Sequence, residues 1–313
     1  MRTERIIDSD AALDLEEMQW WDANAGTIEK IWAQNIHYQK AIRLGYLSRM
    51  KRFFQHGKNG QVNILEVGCG SGWVGRLVAD DQLHIIGTDF SSGQLAIAEK
   101  NARVWHKEKF CRYELADAST FKQNVDGVLI HALLHHLSHR ELTVFFEQLA
   151  QVASGTRIFI YEPVFYTPST EEASVYDRII NRLKNMLRNF ALRKISKSPT
   201  DDRALTEAMN KINNDADQNG WYISPKEVPF YDGELEKYLG SFCTLQNKYI
   251  VNKTELDIAQ AMSLKGIEKP GDLFTGIVLP LASWLDKLSF SGNFKRFIYP
   301  HQHLFVCFEW IRK

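Results

Sequence analysis

From Leu13 to Phe54 the apolar residues recur at mixed three- and four-residue steps, among them Trp20, Trp21, Ile28, Ile31, Trp32, Ile42, Leu47 and Met50. That rhythm predicts helices. It then changes. Asn63–Val67 is a short β-rich run ending in glycines, a helical pattern covers Trp73–Ala79, and His84–Asp89 is a second strand candidate. Ser91-x-x-Gln94 has the spacing of a capping box and opens a helix running to about Trp105. Phe110–Leu115 and Val125–Ile130 read as third and fourth strands, Ser138-x-x-Glu141 opens another helix, and Arg157–Tyr161 is a fifth strand. Strands and helices alternating at this spacing predict βαβ units and an α/β, doubly wound, mostly parallel sheet. Right-handed crossovers then gather the ligand crevice at the strand C-terminal ends.

The alternation is expected to break after Pro163. Thr167 to about Asn219 reads as mostly helical, Gly233–Leu239 as helical, Thr244–Val251 as a strand, and Leu304–Trp310 as a closing apolar strand. The expected organisation is a helical segment over 1–54, a sheet core over 55–165, a helical insertion over 166–230, and the C-terminal part of the sheet over 231–313 with a further insertion at about 254–300. The sheet then has seven strands, with helical insertions after the fifth and sixth.

Composition narrows the class. The 313 residues hold 38 Lys+Arg and 38 Asp+Glu, with 44% apolar and 24% charged residues, values of a globular chain. Zero net charge removes the broad positive field of a nucleic-acid coater. The longest mostly apolar stretch, Ile277–Leu285, is far short of the ~20 residues that span a bilayer. Seven acids precede position 25 and no apolar signal segment is visible. Cys69, Cys111, Cys243 and Cys307 are scattered without metal-ligand or disulfide-framework spacing. The expectation is a reduced, cytoplasmic protein with no metal site.

The sharpest motif is Ile64-Leu65-Glu66-Val67-Gly68-Cys69-Gly70-Ser71-Gly72, between a strand and a helix. Glycines there let the backbone turn tightly and approach a ligand at a helix N-terminus. Asp89 ends the next strand, where an acid can bond the hydroxyls of a ribose. In the dinucleotide fingerprint the last glycine would fall on Trp73; the chain instead spells Glu66-x-Gly68-x-Gly70-x-Gly72. This resembles motif I of the class I S-adenosylmethionine-dependent methyltransferases. The likeness runs from about Val62 to Pro163 and takes in Asp89-Phe90, Asp117-Ala118 and His131-Ala132-Leu133-Leu134-His135-His136-Leu137, the last similar to the "L-H-H-L" stretch of small-molecule members. The resemblance implies S-adenosylmethionine as cofactor. Glu66, Gly68, Cys69, Gly70 and Gly72 would line its methionine end, Asp89 would hold the ribose, Phe90 would flank adenine, Asp117 and Ala118 would meet the adenine edge, and His131 would sit by the sulfonium. It also implies that Trp20-Trp21-Asp22 and the helix after it form a lid.

Methyl transfer from a sulfonium is an in-line displacement, for which the protein mainly supplies proximity and a dry cavity. A hydroxyl acceptor usually needs a general base. His131, His135 and His136 after the fourth strand and Glu162 at the end of the fifth are the candidates, each with an ordinary packing role as the alternative. Adjacent His135 and His136 cannot share one helix face. Where methyltransferases of DNA amines resemble one another in an Asn/Asp-Pro-Pro-aromatic stretch, this chain has His131-Ala132-Leu133-Leu134, so no DNA substrate is expected. The expected acceptor is a small metabolite, methylated at oxygen, with a saccharide or lipid-linked intermediate leading. Alternatives are an NAD(P)-dependent oxidoreductase and a cofactor-binding scaffold without catalysis. Ser224-Pro225-Lys226-Glu227 reads as a helix start. Tyr176–Lys197 carries seven cations against Asp177, with Ile179, Leu183, Met186, Leu187 and Phe190 on one face. It serves as a solvated lid helix, closes over an anionic substrate, or makes a peripheral contact with the inner face of a membrane.

Overall fold

The computed structural model describes residues 11–33, 36–118, 124–165, 175–196, 224–228, 230–251, 253–264, 274–289 and 303–313, with Glu207 and Lys211. The parts of the expected insertions at 197–223 and 290–302 lie outside them, those two residues aside.

Helices α1 (Ala11–Ile28), α2 (Ile36–Ile42) and α3 (Ser48–Gln55) lead into the sheet, with wide π-type turns at Glu29–Ala33 and Arg43–Leu47. The alternating part follows as β1 (Val62–Val67), α4 (Trp73–Val78), β2 (Leu83–Asp89), α5 (Ser92–Val104), β3 (Cys111–Leu115), β4 (Gly127–His131), α6 (His139–Leu149) and β5 (Arg157–Phe165). Then come α7 (Val175–Ser196), β6 (Phe230–Tyr231), α8 (Glu234–Leu239), β7 (Cys243–Ile250), α9 (Lys253–Leu264), α10 (Leu279–Ser289) and β8 (His303–Arg312).

The sheet order is β3-β2-β1-β4-β5-β8-β7, parallel through β5, with β8 antiparallel between β5 and β7. The seven expected strands make up this path, and off it the two-residue β6 pairs in parallel with the end of β5, an eighth strand. β5 itself continues past Pro163 to Phe165, paired with β6 through Val164 and Phe165 and with β8 along its length.

Alternation along the central strands explains the two-sided core. Val128 and Ile130 of β4, and Ile158 and Ile160 of β5, pack with Leu142, Phe145 and Leu149 of α6 on one face. Leu129 and Phe159 point the other way, toward Met50 and Phe54 of α3 and Val74 and Val78 of α4. The capping box expected at α6 forms in full, Ser138 Oγ accepting from the Glu141 amide while the Glu141 carboxylate accepts from the Ser138 amide. At α5 only half forms. Ser91 Oγ accepts from the Gln94 amide, but the Gln94 side chain turns away to donate to the Trp21 carbonyl. A smaller cluster joins α7 (Ala191, Ile195) to α9 (Ile258, Met262) and α10 (Ala282), and α9 also lies against α2. Among the described residues no helix is long and apolar enough to cross a membrane, and no group of side chains could hold a metal ion.

Candidate active site

After β1 the chain turns through Gly68, Gly70 and Gly72, with φ of 63°, 53° and 66°, a region that disfavours any side chain with a Cβ. At Gly68 space adds a second demand, since a Cβ would sit 2.5 Å from Leu133 Cδ1. The loop is tied to the next strand. The Gly70 amide donates to Asp89 Oδ2 at 2.8 Å, and the Ser91 amide donates to Oδ1 at 2.9 Å. Behind it, Arg76 is fully buried, donating to the Ser71 carbonyl and pairing with Glu29 at 2.8 Å. Glu29 also accepts from Asn101 and from the Ser71 hydroxyl.

A cavity of about 230 Å³ opens at the C-terminal ends of β1, β2 and β4. Of the sequence-predicted cofactor residues, Glu66, Gly68, Cys69, Gly70, Asp89, Phe90, Asp117, Ala118 and His131 line it. Gly72 does not. It stands at the N-cap of α4, and its bare Cα faces the Tyr113 ring, where a Cβ would approach to 2.5 Å. Burial dominates the electrostatics. It pushes the Glu66 carboxyl up to about 8 against the opposing Gly75 amide and Arg76, and leaves Glu66 Oε2 without a hydrogen-bond partner. Asp89 is pushed up to about 6 by burial, its bonds from Ser91 and Gly70 opposing.

The four catalytic candidates part company. His131 lines the cavity, stacks on Tyr161 with ring centroids 4.3 Å apart, and lies 2.6 Å from the Tyr46 hydroxyl through Nε2. Burial holds it down at about 4 and pushes the Tyr46 phenol well up, so both members of this pair are neutral. His135 and Glu162 do not line the cavity. Glu162 is fully buried, accepting from the Leu133 and Leu134 amides and sitting 2.6 Å from His135 Nδ1. Burial raises it to about 7, with those amides and the neighbouring histidines opposing. It anchors the turn after β4, in which Ala132 adopts φ 53°. That turn separates the adjacent histidines. His135 points into the protein, and His136 lines the cavity.

His136 has a partner the sequence did not announce. Its Nδ1 lies 2.9 Å from Glu17 Oε1, on α1. Glu17 is almost wholly buried and also accepts from Trp21 Nε1, Ser224 Oγ and the Lys226 amide. Burial alone would raise the Glu17 carboxyl, but the bond and charge of His136, with the bonds from the Lys226 amide and Trp21, outweigh it and hold the group at about 2. Reciprocally, Glu17 raises His136 against the opposing effect of burial. The Ser224–Glu227 stretch begins no helix. It is a turn, in which Ser224 Oγ donates to Glu17 and Lys226 Nζ reaches Asp14 at 2.5 Å and Glu141 at 2.9 Å. Asp14, Glu17, Glu141 and Lys226 also line the cavity, none of them a site candidate from the sequence, and Trp21 of the expected lid pair lines it with them. The only local signal was the Trp20-Trp21 pair, which placed α1 over the crevice without singling out its acids.

Comparison with known proteins fits this geometry. Residues 64–154 match the family model described as a methyltransferase domain. Comparison with curated protein sequences finds no match. The fold is similar to that of phosphoethanolamine N-methyltransferase 2 of Haemonchus contortus in complex with S-adenosyl-L-methionine, at 15% identity and a TM-score of 0.54, over 98% of this chain and 60% of that one. It is also similar to the [4+2]-cyclase SpnF, at 15% identity and a TM-score of 0.53, over 94% of each chain. With the glycine loop, the sheet order and the cavity in place, residues 64–154 carry a methyltransferase domain.

Proposed function

We propose that the enzyme methylates a hydroxyl oxygen of a small, hydroxyl-rich acceptor, a saccharide or lipid-linked intermediate, with His136 as general base. The observation that carries this is the His136–Glu17 pair at the cavity wall. A carboxylate on Nδ1 fixes the ring and leaves Nε2 to take a proton, the arrangement an alcohol acceptor needs and a more nucleophilic amine does not. Lys226, Asp14 and Glu141 at the same end offer donors and acceptors to a polyol.

The residues present suit the cofactor. Glu66 has an unpartnered buried oxygen for an ammonium, Gly70 leaves its side of the cavity open, and Asp89 retains acceptor capacity for ribose hydroxyls. Phe90, Asp117 and Ala118 would flank the base, and Cys69 and Gly68 the methionine end. When bound, S-adenosylmethionine supplies an activated electrophilic methyl group. His131, its Nε2 engaged by Tyr46, contributes a neutral wall, while Glu162 and His135 position the turn that carries His136. A second reading, a cofactor scaffold without methyl transfer, draws on the likeness to a chain named as a cyclase.

Thermal unfolding with S-adenosylhomocysteine, NAD and NADP tests the cofactor. Only the sulfur nucleoside should raise stability, by about 2.7 kcal/mol at a hundred times its Kd, and Asp89→Ala should abolish the rise. A shift with NAD alone would overturn the proposal. A screen of cell extracts with labelled donor would identify the acceptor, and turnover on it separates enzyme from scaffold. The rate should climb with pH through a value above 6.5, as the raised His136 loses its proton. Full turnover by His136→Ala would exclude it as base.

A further inference from the structure

Helix α7 carries two apolar faces. One, with Ala191 and Ile195, packs on α9 and α10. The other, about a third of the way round the helix, holds Ile179, Leu183, Met186 and Phe190, and it is exposed, Ile179 by 51% and Met186 by 59%. These four stand at steps of four, three and four residues, so they form one stripe. Exposed Arg182 and Arg193 fall along one edge of it and exposed Lys194 along the other. The neighbouring α10 and the turn before it repeat the pattern. Val278, Ala282 and Leu285 are buried, while Ile277, Leu281 and Trp284 are exposed, Trp284 by 54%.

An apolar stripe facing water stabilises nothing in the isolated chain, and contiguous exposed apolar surface marks a contact site. Its chemistry selects the occupant. Long aliphatic side chains, a tryptophan and flanking cations match an acyl–headgroup boundary carrying negative charge. A protein interface would be depleted in lysine. The segment holds one acid, Asp177, against seven Lys and Arg between Tyr176 and Lys197, of which Arg188 pairs with Asp257 of α9. We propose that the outer faces of α7 and α10 form a docking surface for an anionic lipid bilayer, on which the enzyme lies peripherally. This goes beyond the assignment of the cavity and stands whether the acceptor is lipid-linked or soluble.

The test is co-sedimentation of the full chain with vesicles of phosphatidylcholine alone and of phosphatidylcholine mixed with phosphatidylglycerol. The protein should pellet with the anionic vesicles and much less with the neutral ones, and salt should release it. Arg182→Gln and Lys194→Gln should each weaken binding about fivefold. Met186→Ser and Trp284→Ser should weaken it further, with thermal stability and S-adenosylhomocysteine binding unchanged because these side chains are exposed. Failure of the folded protein to pellet with anionic vesicles would overturn the proposal, as would undiminished binding by all four variants. Sedimentation velocity supplies the remaining arm: a dimer that Met186→Ser dissociates would assign the face to a second copy of the chain instead.

Discussion

Replacing Glu17 by Gln tests the polar end of the cavity with almost no change in shape. Glu17 Oε1 faces three donors, Trp21 Nε1 at 2.8 Å, Ser224 Oγ at 2.9 Å and His136 Nδ1 at 2.9 Å, and Oε2 faces the Lys226 amide at 3.0 Å. A glutamine brings one oxygen and one NH2, so in either orientation a donor meets a donor. The charge is lost as well. Holding the carboxyl at about 2 where 4.5 is ordinary corresponds to on the order of 3 kcal/mol of folding stability. Because the folded value is depressed, that stability is present above pH 4.5 and is lost as pH falls toward 2. The assay is urea unfolding of both proteins across pH. Near pH 6 the variant should be less stable by roughly 3 kcal/mol, and the gap should shrink to about half near pH 3, where the unfolded carboxyl is protonated and the folded one still ionised. His136 carries the reciprocal signature: its stabilisation, full below 6.5, fades as pH rises through its raised value, and Glu17→Gln should erase that decline too. A gap independent of pH would refute the ion pair and leave Glu17 as a packing residue.

Glu66→Gln has the opposite sign. With its folded value raised to about 8, Glu66 costs the ligand-free protein stability as pH climbs from 4.5 through 8, so the glutamine variant should gain on the wild type by on the order of 5 kcal/mol at alkaline pH while binding S-adenosylhomocysteine more weakly; parallel unfolding curves for the two proteins would refute it. Gly68→Ala should destabilise by more than the ~1–2 kcal/mol of a left-handed alanine, because its Cβ meets Leu133, and adding Leu133→Ala should recover part of the excess; a double-mutant cycle in thermal unfolding with no coupling would discard that contact.

Much of this fold can be read locally because its determinants are local. The strand–glycine–helix passage from Ile64 to Ala79, the hydrogen bonds of Ser91 and Ser138 to the helices they open, and the two-sided apolar strands β4 and β5 each occupy a handful of consecutive residues. What escaped depends on partners far along the chain. Glu17 reads as one of the four acids of α1, and its burial is set by Ser224 and Lys226, more than two hundred residues on. Lys226 lies in a stretch whose Ser and Pro suggest a helix start, whereas the chain makes a turn there that ties Ser224 and Lys226 to the acids of α1. Gly72 was conspicuous as a glycine, but the ring of Tyr113 that requires it belongs to β3. The differing fates of His135 and His136 follow from the left-handed Ala132 and the anchoring of its turn by Glu162, neither visible in the letters.

That anchored turn also limits how the chain can be rebuilt. Leu133 leaves a strained residue, its amide is held by Glu162, and its side chain rests on the bare Cα of Gly68. The glycine loop and the histidine turn are therefore a matched set, like two halves of a mould. A glycine loop transplanted from a related enzyme would arrive without the leucine shaped to receive it. A chimera exchanging both segments together, with the strand end that supplies Glu162, should keep the crevice that one exchanging either alone would lose.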